Sequence, residues 1–108
     1  MVDLDTAIEI SSDIAKKYPI ERLGIFGSYA TGKYNFDSDI DFVFALNDKI
    51  INHSWDYLGF LVELEDALNK SVDLINIVQL YSEKDSDIHG DFRNAVLKQM
   101  RWIYESQS

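Results

Sequence analysis

The sequence predicts an α+β fold, an α/β sandwich in which a small mixed β-sheet is covered by helices. Apolar runs typical of buried strands alternate with segments whose apolar residues recur at helical spacing. These elements follow the order helix, strand, strand, helix, strand, helix, which favours helices packed against one sheet. The chain has 108 residues, 46% of them hydrophobic, so we expect a single domain over residues 1–108.

The first two predicted elements are a helix and a strand. Apolar residues recur at helical spacing from about Leu4 to Tyr18, and the acids of this segment precede its lysines, which suits the helix dipole. Pro19 ends the helix because its ring removes a hydrogen-bond donor and disfavours helix in the preceding residue. The apolar run from Leu23 to Phe26 then predicts a buried strand.

The second predicted strand, from about Ser38 to Leu46, alternates between two faces. Its large apolar residues would face the core, whereas Asp39 and Asp41 are spaced by two and would project from the opposite face. A turn is predicted at residues 47–49, where polar residues interrupt the pattern.

A second long helix is predicted from about Trp55 to Leu68. Ser54 stands just before it and is a candidate cap, because a serine hydroxyl can accept from the first unpaired amides of a helix. The predicted inner side of this helix consists of Leu58, Leu61, Val62, Glu65 and Leu68.

The last third of the chain predicts a strand, a loop and a helix. The strand covers residues 72–77 and carries Asp73, the loop is polar and covers residues 81–90, and the helix runs from about Asp91 to Tyr104. Because the predicted helices are needed to cover one side of the sheet, we expect the aspartate-bearing side to be an open shelf bordered by loops. Such a shelf suits a macromolecular acceptor, which brings its own walls to the site.

Composition excludes several classes of function. The chain has 19 acidic and 10 basic residues, a formal charge of -9, which repels nucleic acid and offers no basic stripe for its backbone. It has no cysteine, so disulfides and thiolate metal sites are excluded. No signal peptide and no apolar run long enough to span a bilayer is visible, so we expect a cytoplasmic protein without membrane contact.

A glycine-serine turn followed by three aspartates is the strongest functional signal in the sequence. Gly27 and Ser28 end the first strand, and Asp39 and Asp41 begin the second strand about ten residues later. This spacing resembles the minimal nucleotidyltransferases of the DNA polymerase beta-like superfamily, and Asp73 follows where that family places its third carboxylate. Thr31 departs from the pattern, since many relatives carry arginine there.

The resemblance implies Mg²⁺-dependent nucleotidyl transfer from ATP. Asp39 and Asp41 would ligate two Mg²⁺ ions, and Asp73 would hold one of them near the acceptor hydroxyl, because carboxylate oxygens suit this hard cation. Gly27 and Ser28 would contact the β- or γ-phosphate of ATP. Alternating acids on a strand often simply face water, so Asp39 and Asp41 alone would not indicate a metal site. The interpretation depends on their combination with the glycine-serine turn and Asp73.

The resemblance and the small size further imply the antitoxin of a HEPN/MNT toxin-antitoxin pair. Such a protein would transfer AMP to a tyrosine of its partner HEPN toxin, and an acidic surface fits a basic partner. Two alternatives remain open. One is an antitoxin that acts by contact alone with a vestigial nucleotide site, and the other is a small-molecule nucleotidyltransferase similar to the aminoglycoside-modifying enzymes.

Overall fold

The computed structural model describes residues 2–47, 55–81 and 94–106. Its four strands form one sheet in the order β3-β2-β1-β4. The strands are β1 (Ile20–Phe26), β2 (Ile40–Leu46), β3 (Val72–Asn76) and β4 (Arg101–Glu105). The helices are α1 (Leu4–Ala15), α2 (Ser28–Thr31), α3 (Tyr57–Leu68) and α4 (Ile77–Tyr81), and residues 94–99 are also helical. None of the helices in these described ranges has the length and apolar character needed to cross a membrane.

The sheet is mixed, as the sequence predicts. β1 pairs with β2 and with β4 in antiparallel fashion, whereas β2 and β3 are parallel and are joined through α3. A parallel pair needs a crossover connection, and here α3 supplies it. The mixed sheet with helices therefore confirms the predicted fold class.

The C-terminal strand differs from the sequence prediction. The segment from Asp91 to Tyr104 was predicted as one helix, but the helical residues 94–99 are followed by β4, so the second half of that prediction was wrong. Aromatic and β-branched residues at positions 102–104 fit a strand, and pairing with β1 satisfies backbone groups that a helix would leave at the sheet edge. The helical spacing of apolar residues here did not reveal this tertiary pairing.

The main core lies between one face of the sheet and the helices α1 and α3. Ile40, Phe42 and Phe44 of β2 are at most 2% exposed, as the alternation predicts. On α3, however, Leu58 and Val62 are 68% and 51% exposed, so the predicted inner side was partly wrong. The buried stripe of α3 is instead Phe60, Leu64 and Leu68.

The position of α3 explains this rotation of its buried stripe. The helix starts at Tyr57, and Asp56 caps it by accepting from the Gly59 amide at 2.8 Å; the predicted cap Ser54 lies outside the described residues. Phe60 then packs against the rings of Tyr18 and Trp55, with ring centroids 5.0 and 6.0 Å away. Aromatic packing therefore turns Phe60 towards the core.

The opposite face of the sheet carries a smaller apolar cluster of its own. Phe26 and Val43 pack there with Leu80 of α4 and Val96 of the helical residues 94–99, and all four are buried. The expectation of a shelf bordered only by loops was therefore wrong for this part of the face. The loop predicted at residues 81–90 lies outside the described residues except for Tyr81, which ends α4.

Side chains form hydrogen bonds with the main chain of β3, which is an edge strand of the described sheet. The carboxylate of Glu65 accepts from the Val72 amide at 3.1 Å, and the Tyr57 hydroxyl donates to the Leu74 carbonyl at 3.0 Å. The Asn76 amide donates to the side-chain oxygen of Gln79, a residue of α4, at 3.3 Å. The helices on either side of β3 in the chain thus satisfy backbone groups along its outer edge.

We expect substitutions on α3 to distinguish its buried stripe from its exposed one. Leu64→Ala should lower the free energy of unfolding by about 2–5 kcal/mol, because Leu64 is fully buried and its truncation leaves a cavity. Leu58→Ala on the same helix is the matched control and should change it by no more than about 0.5 kcal/mol. Urea denaturation measures both values. A larger loss of unfolding free energy for Leu58→Ala than for Leu64→Ala would instead support the inner side predicted from the sequence.

Candidate active site

Three neighbouring strands bring the predicted site residues to one end of the sheet. In the pairing of β1 with β2, Phe26 lies opposite Asp41, and in the pairing of β2 with β3, Asp41 lies opposite Asp73. Gly27 directly follows Phe26, so the glycine-serine turn and two of the aspartates are adjacent in space. The sequence motif is therefore assembled by strand register.

Gly27 is required by the geometry of this end of the sheet. Its φ of 72° and ψ of -150° lie in a region that side-chain-bearing residues rarely adopt. A Cβ added to Gly27 would also overlap the Asp41 carboxylate. The absence of a side chain thus lets the Asp41 carboxylate lie directly against the main chain of the turn.

The turn after Gly27 continues into the single-turn helix α2. The Gly27 carbonyl accepts from the amides of Ala30 and Thr31 at 3.1 and 3.2 Å, and Gly32 ends the helix with a left-handed φ of 79°. The Thr31 hydroxyl donates locally to the carbonyls of Gly27 and Ser28 at 3.4 and 3.3 Å. Thr31 therefore helps to close the turn, and half-buried Ser28 lies at the rim of the site.

The carboxyl groups of Asp41 and Asp73 interact directly. Asp41 is half-buried, and burial is the largest cause that raises the pKa of its carboxyl group, to about 7. The hydrogen bond with Asp73 and the negative charges of Asp73 and Asp39 raise the pKa of Asp41 further. A hydrogen bond between two carboxyl groups requires a proton on one of them, and the raised pKa favours the protonated form of Asp41.

Asp39 occupies a different position from the other two aspartates. The strand was predicted from Ser38, but β2 begins at Ile40, so exposed Asp39 lies in the connection before it. The negative charge of Asp39 contributes to the raised pKa of Asp41. In the described part of the chain, however, no three acidic or histidine side chains come together as a preformed cation site. The use of Asp39, Asp41 and Asp73 as joint ligands therefore stays a prediction.

The chemistry of the donors nevertheless fits a hard divalent cation. The Asp41 and Asp73 carboxylates are neighbours, and both offer oxygen ligands. A divalent cation held by the two carboxylates would offset their like-charge repulsion and favour the ionised form of Asp41. Mg²⁺ keeps several waters and substrate oxygens as ligands, so it does not need a complete protein cage.

A cleft of about 500 Å³ lies beside Asp41 and Asp73. Its other lining residues are largely apolar and come from β1, α3 and β3: Phe26, Tyr57, Leu61, Val72, Leu74 and Ile75. Sequence reasoning did not assign Tyr57 to the site. The signal for it was weak, since a tyrosine at the start of a helix is equally suited to core packing.

Comparison with known sequences identifies the family. Residues 9–108 match the model of the family described as polymerase beta, nucleotidyltransferase. Over 59 residues the chain is 36% identical to a candidate protein adenylyltransferase of Methanocaldococcus jannaschii, a match that covers 55% of this chain and 59% of that relative. This match therefore spans less than two thirds of the relative's length.

Solved structures have the same fold. A crystal structure of a toxin-antitoxin complex with AMP-PNP contains a chain with a TM-score of 0.65 and 22% identity, over 93% of this chain and 74% of the matched one. A candidate minimal nucleotidyltransferase gives a TM-score of 0.63 at 23% identity, over 92% of this chain and 94% of its own. A structure of tri-AMPylated Shewanella oneidensis HEPN toxin in complex with MNT antitoxin gives 0.59 at 18% identity, over 96% and 74%.

At these identities the structural likeness establishes the fold, and the family model establishes membership. The family match covers the glycine-serine turn and all three aspartates; of these residues, the strand register brings the turn, Asp41 and Asp73 to one end of the sheet. The chain belongs to the polymerase beta nucleotidyltransferase family.

Proposed function

We propose that this chain transfers AMP from ATP to a hydroxyl of a partner protein in a Mg²⁺-dependent reaction. The observation that carries the proposal is the contact of the Asp41 carboxylate with both Asp73 and the Gly27 turn. This arrangement puts the glycine-serine turn, which we propose as the phosphate-binding element, beside paired carboxylates. Family membership and the similarity to a candidate protein adenylyltransferase support the same reaction class.

Each residue has a defined task in the proposed reaction. Asp39 and Asp41 would hold two Mg²⁺ ions, and Asp73 would share one of them; the ions would supply charge stabilisation for the transferred phosphoryl group. Gly27 and Ser28 would bind the β- or γ-phosphate. A carboxylate oxygen of Asp73 would accept the proton of the acceptor hydroxyl. The acceptor oxygen then forms a bond to the α-phosphorus, the bond to the β-phosphate breaks, and pyrophosphate leaves.

The partner that best fits the observations is a HEPN toxin, with a tyrosine as the acceptor. The formal charge of -9 favours association with a basic protein surface. Structures with the same fold include an MNT antitoxin in complex with a tri-AMPylated HEPN toxin. On this basis the chain would act as an antitoxin that silences its partner by adenylylation.

A contact-only antitoxin is the second candidate function. It is favoured by one observation, that the three aspartates of the described chain do not form a preformed cation site. The two functions differ in their products, because only the enzyme leaves AMP on the partner. Incubation with the product of the neighbouring reading frame, ATP and Mg²⁺, followed by intact mass measurement of both proteins, therefore distinguishes them.

Substitution of the paired aspartates should separate activity from stability. Asp41→Asn and Asp73→Asn should each lower AMP transfer from radiolabelled ATP by at least about 100-fold, because each removes a ligand oxygen charge. Neither should destabilise the fold, since each also removes a like charge from the pair.

Asp37→Asn is the matched control for these variants. Asp37 is exposed in the same connection, and its described hydrogen bond comes from its main-chain amide, which donates to the Asn35 side chain at 2.8 Å. This variant loses one negative charge and should keep its transfer activity. Full activity in Asp41→Asn would show that the proposed metal ligands are wrong.

The stability of the metal-free protein should depend on pH through Asp41. The pKa of Asp41 is raised from its ordinary value of 3.8 to about 7 in the folded protein. Between these two pH values the folded state therefore binds a proton that the unfolded state has lost. Unfolding then releases a proton, and the free energy of unfolding falls as pH rises through this window. Thermal melting in chelator should show this decline in the wild type and a smaller one in Asp41→Asn. Equal slopes for the two proteins would contradict the assignment.

Mg²⁺ and ATP together should raise the melting temperature. Ligands that bind only the folded state stabilise it in proportion to the logarithm of their concentration over Kd. The matched measurement is ATP with chelator, which removes the cation and restores repulsion between the carboxylates. A melting temperature that is the same in both conditions would count against a metal-nucleotide site.

A further inference from the structure

Lys70 joins two parts of the molecule that carry different aspartates. It lies in the link between α3 and β3, three residues before Asp73. Its ammonium donates to the Phe36 carbonyl at 2.9 Å and to the Ser38 carbonyl at 2.8 Å. Both carbonyls belong to the connection that leads into Asp39. One side chain thus links the two segments.

The main chain on both sides of Asp39 is bonded to the same link. On the N-terminal side, the Ser38 carbonyl accepts from Lys70; on the C-terminal side, the Ile40 amide donates to the Ser71 carbonyl at 3.1 Å. Consecutive residues of the link therefore hold Asp39 from either side. Among the described hydrogen bonds between this connection and the link, loss of Lys70 would leave the one from the Ile40 amide.

The connection before Asp39 is itself a closed turn. The Asn35 amide donates to the Ser38 hydroxyl oxygen at 2.8 Å, and the Ser38 amide donates to the Asn35 carbonyl at 3.1 Å. The Asp37 amide donates to the Asn35 side chain at 2.8 Å. Because these bonds make residues 35–38 a unit, the two bonds from Lys70 locate the whole turn.

The link is fixed at both of its ends. Leu68, the last residue of α3, is fully buried, and Val72, the first residue of β3, is 8% exposed. Asn69 ends the helix with a left-handed φ of 53°. Lys70 is therefore held between two anchored elements, and its ammonium serves as a fixed donor for two carbonyls.

We propose that Lys70 is a positioning residue that sets the place of Asp39 relative to Asp73. The proposal rests on the function proposed above, in which both aspartates bind metal. It accounts for the position of Asp39, which precedes β2 and lacks a strand pairing of its own to fix it. Lys70 acts through main-chain carbonyls and does not touch the substrate.

The test compares Lys70→Met with the wild type by two independent measurements. Hydrogen exchange of the Ile40 amide reports on the tether alone, and it should become at least about tenfold faster as the turn loosens. Titration with Mn²⁺, followed by electron paramagnetic resonance, reports on the aspartates, and its Kd should rise about tenfold, as is typical when a residue that orients metal ligands is lost.

Two further variants exclude trivial explanations. Lys16→Met removes the same charge from the exposed C-terminal cap of α1, where Lys16 pairs with Asp13, and it should leave both measurements unchanged. Lys70→Arg keeps donors for the two carbonyls and should restore most of the Mn²⁺ affinity. All variants should fold, because Lys16 is exposed and Lys70 is only half-buried.

The outcomes separate this proposal from the proposed function. Unchanged exchange at Ile40 in Lys70→Met would show that Lys70 is no tether, whatever the protein binds. Faster exchange with unchanged Mn²⁺ affinity would reduce Lys70 to a structural role and overturn the positioning proposal. If the wild type itself bound no Mn²⁺, the metal-dependent function would fail and the positioning proposal with it, even where exchange confirms the tether.

Discussion

The register that places Asp41 between Phe26 and Asp73 is the constraint on which the rest of the structure depends. It puts two carboxyl groups side by side and lays one of them against Gly27, where no side chain fits. A shift of β2 by one residue would move Asp41 to the opposite face, into the apolar core. The buried residues of β2 therefore secure the site as well as the fold, because Phe42 and Phe44 can face only one way.

The sequence predicted the parts of this arrangement that depend on local chemistry. The alternation of β2 and the turn at Gly27 follow from side-chain parity and backbone preference, and the structure agrees with both. The family resemblance, carried by the spacing of the same residues, is confirmed by the match over residues 9–108. The metal-binding role of Asp39 stays a prediction, since the described side chains do not converge on a cation site.

The parts that depend on distant contacts were not predictable in the same way. Residues 101–105 fit a helical pattern in isolation, and only the open edge of β1 makes them a strand. The buried stripe of α3 is set by rings from other elements, those of Tyr18 and Trp55, so the spacing on the helix itself was insufficient. Cover for the second face of the sheet likewise comes from α4 and residues 94–99, which are remote from β2 in sequence.

The side-chain bonds along β3 have a consequence for solubility. The strand that carries Asp73 lies at the edge of the described sheet, and an edge strand with free backbone groups can recruit strands of other molecules into aggregates. Glu65, Tyr57 and Gln79 occupy three of those groups. Because these groups are already hydrogen-bonded, a strand of another molecule has fewer partners on β3. The three side chains thus disfavour aggregation through an edge strand that is needed to carry Asp73.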